Sequence, residues 1–306
     1  MLALTVAIAA SVAAGVGAER RWGEGAQVAA RWALNAMLYV ALPFIAFFVV
    51  ARTELTTGIA VGLVLAYLGL AVVGLVAWGI ARRVLGLGPT ATATLVIATV
   101  MANTGYLGVP LNAALLGPDA LGPAITFDAV VSGPMFYVAG FAIAAGFTTR
   151  GDPIGQRLRT FATRNPPLLA VVAALLAPDV MAPDALVDVA ELAVLGLLPV
   201  AFFVLGVTLA AEADDGALRF PPPLTAPIAT IVGLRMVAAP ALLLGLSAVT
   251  VTVPDAYLLQ AAMPVGINTL VVAHAYDLDL GVASGAIVWS TAIAVAVAAG
   301  LASVAL

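Results

Sequence analysis

Two short stretches carry the polar chemistry of an otherwise apolar sequence. The first is Met101-Ala-Asn-Thr-Gly-Tyr-Leu-Gly-Val-Pro-Leu111 and the second is Met263-Pro-Val-Gly-Ile-Asn-Thr-Leu270. Each joins an Asn-Thr pair, Asn103-Thr104 or Asn268-Thr269, to a proline and at least one glycine: Pro110 with Gly108, and Pro264 with Gly266. Carboxamides and hydroxyls hydrogen-bond anions and carbonyls, and proline and glycine interrupt a helix by removing a donor and lowering helix propensity. Two roles stay open for Asn103 and Asn268. Their amides line a substrate site, or they only satisfy backbone groups freed at a break. Of the ionisable residues in or at the end of apolar runs, three are functional candidates: Asp128, Arg235 and His274. A charge inside a membrane helix costs about 2.5–3.5 kcal/mol on insertion scales and marks a functional site by default. Arg235 is a candidate for pairing with substrate. Asp128 and His274 are candidates for ion coupling, Asp128 because a carboxylate can bind H⁺ or Na⁺ and His274 because imidazole titrates near neutral pH. Against these stand plain alternatives: Asp128 reaching water at its helix end, Arg235 paired with carbonyls, and His274 at the membrane interface.

The elements that must position these residues are membrane helices. Of 306 residues, 63% are hydrophobic and 9% charged, against about 25% charged in soluble domains. About 20 apolar residues span a bilayer. The apolar runs give ten spans, at 2–18, 33–51, 58–81, 91–116, 122–147, 166–177, 186–211, 224–248, 255–275 and 281–305. The fourth and ninth hold the two interrupted stretches. Lipid cannot satisfy freed backbone groups, so a break must face protein or a watery cavity. Paired breaks in corresponding positions point to a transporter binding site. Pro43 in Leu42-Pro-Phe-Ile-Ala-Phe-Phe48 lies 156 residues before Pro199 in Leu198-Pro-Val-Ala-Phe-Phe203, and Pro110 lies 154 before Pro264. These offsets predict two repeats of five helices, at 1–147 and 165–306, joined by a short cytoplasmic linker at 148–164. An odd helix number makes the repeats inverted.

All twelve basic residues are arginine, and sixteen acids bring the formal net charge to −4. A GC-rich genome and a salt-rich habitat both produce this pattern, and both stay open. Ten of the twelve arginines fall in connections on one side of the ten-span topology. The positive-inside rule makes that side cytoplasmic and puts both termini outside, in a multi-pass protein of the cell membrane. There is no cysteine and one histidine, which excludes disulfides, thiol catalysis and histidine metal clusters. No zinc-protease, serine-hydrolase or metal-phosphate motif appears, so neither an enzyme, a cofactor nor a metal is expected. Asp188 and Glu191 suit the start of a helix, where anions favour the dipole. Tyr106, Tyr137, Tyr276 and the tryptophans read as packing or interface residues.

The stretch Asn103-Thr-Gly-Tyr-Leu-Gly-Val-Pro110 resembles the fourth-helix signature of the auxin efflux carrier family, which includes plant auxin carriers and bacterial malonate-type carriers. Asn165-Pro-Pro167, Leu198-Pro-Val-Ala-Phe-Phe-Val-Leu-Gly206, Ala262-Met-Pro-Val-Gly-Ile-Asn268 and Ser290-Thr291 resemble later motifs of that family in order. The resemblance implies an all-α membrane protein of ten helices in two inverted five-helix repeats, similar to sodium/proton antiporters and bile-acid transporters. It implies two broken helices crossing at a central site, and a homodimer in the lipid bilayer. The breaks at Gly108, Pro110, Pro264 and Gly266, brought together by the repeat, make Asn103, Thr104, Asn268 and Thr269 the expected substrate site, with Arg235 in reserve. The expected function is secondary transport of a small organic anion, a carboxylate, by alternating access. The alternative is a sodium- or proton-coupled symporter of the bile-acid type. Nucleic acid has no place in either.

Overall fold

The computed structural model describes residues 2–54, 56–148, 155–156, 159, 163, 166–214 and 222–304. Most of the 148–164 linker, with Arg150, Arg157 and Arg164, lies outside that set, as do Asn165 and Arg219. Twelve helices make up the described fold. In chain order they are α1 (Leu2–Trp22), α2 (Glu24–Val50), α3 (Thr57–Val84) and α4 (Pro89–Val100). Helix α5 is a π turn, Thr104–Gly108, running into an α-helix, Val109–Leu116. There follow α6 (Pro118–Phe147), α7 (Pro166–Leu176), α8 (Asp184–Asp214), α9 (Ala226–Val249), α10 (Asp255–Ala261), α11 (Asn268–Ala275) and α12 (Leu280–Val304).

The expectation of ten spanning helices in two inverted five-helix repeats does not hold. Among the described residues, six helical stretches are long and apolar enough to cross a membrane: Glu24–Val50, Thr57–Val84, Pro118–Phe147, Asp184–Ala211, Ala226–Val249 and Leu280–Ala298. The difference has a physical cause. The apolar run at 91–116 is cut at Met101–Asn103, and the run at 255–275 is cut at Ala262–Ile267. The longest single helix left by these cuts that keeps to α geometry, Pro89–Val100, has 12 residues. At 1.5 Å per residue it reaches roughly 18 Å, well short of a hydrocarbon core of about 30 Å. Pro166–Leu176 is apolar but has only 11 residues. Hydropathy measures the length of an apolar run, and a run is a helix only where its backbone continues.

Local signals start the helices where they are needed. The Thr56 hydroxyl accepts a hydrogen bond from the Ile59 N–H at 3.2 Å and caps α3. Pro89 and Pro166 stand in first turns, where a missing N–H costs nothing. Apolar side chains such as Val64, Leu75 and Val237 remain exposed, as suits an outer surface in contact with lipid. Helix α1 packs along α8, and α7 packs along α2. The main apolar core gathers around the two cut runs. Met101, Leu107, Met263, Val265 and Ile267 are buried there against Phe202, Leu205 and Ile287.

Candidate functional site

The two cuts meet. Met101 leaves α4 in an extended conformation, and Ala102 forms an antiparallel bridge with Val265. The Asn103 N–H donates to the Pro264 carbonyl at 2.8 Å, and the Gly266 N–H donates to the Met101 carbonyl at 2.9 Å. The Val265 N–H donates to Ser290 Oγ of α12 at 3.1 Å. Met101, Asn103, Pro264, Val265 and Gly266 thus find partners inside the protein, as backbone away from water must. Gly266 is required here, because a Cβ at that position would stand 2.9 Å from the Ala102 carbonyl oxygen.

The first interruption lies some seven residues before the place the sequence suggested. Gly108 and Pro110 sit in continuous helix, not at a break. The Gly108 N–H reaches back five residues to the Asn103 carbonyl, at 3.0 Å. This π turn brings the chain into the α segment whose first turn holds Pro110. Pro264 and Gly266 do lie in the non-helical stretch.

A cavity of about 100 Å³ opens beside the paired segments. Asn103, Thr104, Gly105 and Tyr106 line one side, Gly266 and Asn268 another, and Asp128, Ser132 and Tyr137 of α6 a third. The starts of α5 and α11 therefore face one space. Asn103 precedes α5, is only 7% exposed, and makes no side-chain capping bond. The residue before α11, Ile267, supplies no cap either. First-turn N–H groups lack intrahelical partners, and a helix N-terminus favours negative charge. Thr104 Oγ1 donates to Asp128 Oδ1 at 2.5 Å.

Three sequence candidates stand apart from this cavity. Thr269 is buried with no partner at its hydroxyl. His274 is exposed near the end of α11. Arg235, 2% exposed, adjoins a separate void of about 20 Å³. It donates through Nη1 to the Thr99 carbonyl at 3.3 Å and through Nη2 to the Ala261 carbonyl. The reason is directional. Arg235 lies where α4 and α10 end and present carbonyls, whereas the cavity lies where α5 and α11 begin and present N–H groups.

Two residues escaped the sequence reading. Gln260, fully buried, donates through Nε2 to the Ala124 carbonyl at 2.9 Å and to that of Thr104 at 3.4 Å, tying α10 to α6 and α5. Asn112, also fully buried, donates through Nδ2 to the Gly108 carbonyl at 2.8 Å. A lone carboxamide inside an apolar run was the available signal, and both residues carry it. Among the described residues no cluster of three or more His, Cys, Asp or Glu side chains could hold a metal ion.

No curated protein matches the chain. Residues 158–301 match the sequence model of a family described as membrane transport protein. That stretch includes Arg235, Pro264, Asn268 and His274, and by it this polytopic membrane protein is related, over part of its length, to a family of transporters.

Proposed function

We propose that the chain is a secondary carrier of a small organic anion, a carboxylate, and that the cavity beside the two paired segments is its binding site. One observation carries this reading. Asn103 is nearly buried, lines the cavity, and leaves the helix start behind it uncapped. Its amide is then available to a ligand rather than committed to the backbone. Asn268 and Thr104 line the same space. A helix N-terminus contributes about 0.3–2 kcal/mol toward an anion. Hydrogen bonds to a charged partner add about 1.5–3 kcal/mol each. A cavity of 100 Å³ corresponds to roughly three waters, which suits a carboxylate group with its short stem. Alternating access would come from motion of the elements flanking the paired segments.

The test is flux in liposomes. With purified protein and a panel of carboxylates, Asn103→Ala and Asn268→Ala should each weaken binding by about tenfold or more while eluting as folded protein. Parent-like binding by both folded variants would refute the site. The ion-coupled reading has its own support, because Asp128 stands in the same cavity. Imposed H⁺ and Na⁺ gradients separate it from uncoupled transport.

A further inference from the structure

The Asp128 carboxylate carries the same charge as the proposed substrate and occupies the same cavity. Its place is specific. Oδ1 accepts from Thr104 Oγ1 at 2.5 Å, and a Cβ on Gly105 would stand 3.0 Å from Oδ2. The carboxylate therefore lies against the first turn of α5, where N–H groups have no intrahelical partner. An incoming carboxylate would seek that position. Two carboxylates cannot share it while both are ionised, because like charges a few ångströms apart favour protonation of one.

The surroundings leave protonation as the means of neutralising Asp128. Helices α3, α5 and α7 and the neighbouring segments of α6 itself pack against its turn. The neighbouring segments of α6 itself bring Tyr137, and α5 brings Thr104 and Tyr106. Helix α3 brings Tyr67, whose hydroxyl donates to the Val130 carbonyl. Helix α7, of sequence PPLLAVVAALL, brings no titratable group. Asp128 is not part of the ion pair between Arg52 and Asp184, and its side chain accepts from Thr104, a neutral hydroxyl. Among the described residues no acidic or histidine cluster that could make a cation site accompanies it.

We propose that Asp128 takes up one proton for each carboxylate bound and releases it when the carboxylate leaves, so that the carrier works as a 1:1 anion–proton symporter. This rests on the carboxylate reading above. The proton comes from the aqueous phase and bonds to a carboxylate oxygen of Asp128. The substrate carboxylate then accepts from the first-turn N–H groups of α5 and from the Asn103 and Asn268 amides. On the far side both leave, the proton to water and the anion with it. For a monocarboxylate the site gains no net charge, and the step across the membrane is electroneutral.

The experiment is calorimetric titration of the purified protein with acetate, propionate and benzoate at about pH 6 to 8, where these acids are ionised. Sodium is replaced by choline, and buffers of different ionisation heat report the protons taken up. About one proton should be bound per anion, and affinity should rise about tenfold for each pH unit lowered while Asp128 is ionised in the empty site. Asp128→Asn should bind the same anions with no proton uptake and no such pH dependence. Binding by the parent without proton uptake, or only with sodium restored, overturns the symport proposal and leaves the carboxylate site standing. Proton uptake that persists in Asp128→Asn overturns the assignment to this residue. Failure of every carboxylate to bind the parent, with or without sodium, overturns the carboxylate reading and the proposal with it. Where Asp128→Asn does not fold, the parent's proton count decides the 1:1 symport, and Thr104→Val, which removes the hydroxyl bonded to Oδ1, should shift the pH at which uptake occurs; an unshifted profile overturns the assignment to Asp128.

Discussion

Arg235 shows how one buried charge finds its place without a counter-ion. Its guanidinium donates to Thr99 and Ala261, at or beside the last residues of α4 and α10. Helix C-termini carry partial negative charge and unpaired carbonyls, so the two helix ends together take the part of a carboxylate. An arginine in an apolar run was legible as a residue needing a partner. Which partner was not legible, because the two carbonyls lie 136 and 26 residues away in sequence and belong to main chain, which no side-chain pattern encodes. The role separates cleanly from substrate binding. Arg235→Met should lower stability by about 1–3 kcal/mol, the cost of leaving buried acceptors unpaired. Carboxylate affinity of the folded fraction should stay within about twofold. Thermal unfolding in detergent and ligand titration of the same sample measure the two effects. Lost affinity at parent stability would instead make Arg235 a ligand.

At the scale of elements, the two interruptions were read from proline and glycine, and that worked for one of them. Pro264 and Gly266 lie in the non-helical stretch. At 101–103 the chain leaves the helix where no proline stands, because Ala102 meets Val265 and the flanking N–H and carbonyl groups bond across the gap. Long-range pairing, not local propensity, sets that break. Pro110 was a misleading signal, since it rests in the first turn of a helical segment behind a π turn. Two substitutions test this account against each other. Gly266→Ala would press a methyl to 2.9 Å from the Ala102 carbonyl oxygen and 3.1 Å from its carbon, both of them backbone atoms that cannot swing aside. Overpacking of this kind costs about 1–3 kcal/mol, and by parting the two segments it should abolish flux. Pro110→Ala should change stability by no more than about 1 kcal/mol and leave flux largely intact. Comparable damage from both would mean that the proline shapes the crossing after all.

For the whole molecule, what hydropathy records is local and was legible: a polytopic membrane protein with its polar chemistry confined to a few stretches. The number of spans was not, because the sequence shows where the chain is apolar and not where its backbone turns out of a helix to pair with another segment. Orientation depends on one long helix rather than on that number. Helix α3, Thr57–Val84, has 28 residues, enough to cross the bilayer with some tilt. Arg82 and Arg83 stand at its end, and Arg52 lies before its start, held by Asp184 at 2.8 Å and by the Ala182 carbonyl. Two arginines at one end outweigh one at the other, and cytoplasmic ends collect arginine and lysine. We propose that the Arg82–Arg83 end of α3 faces the cytoplasm and the Arg52 end faces outward. The chain has no cysteine, so single cysteines report without a background. Glu54 and Thr90 are exposed near opposite ends of α3. Glu54→Cys should react with a membrane-impermeant maleimide in intact cells, and Thr90→Cys should react only after the membrane is opened. Labelling of Thr90→Cys in intact cells with Glu54→Cys protected would invert the molecule. Labelling of both from one side would mean that α3 does not cross.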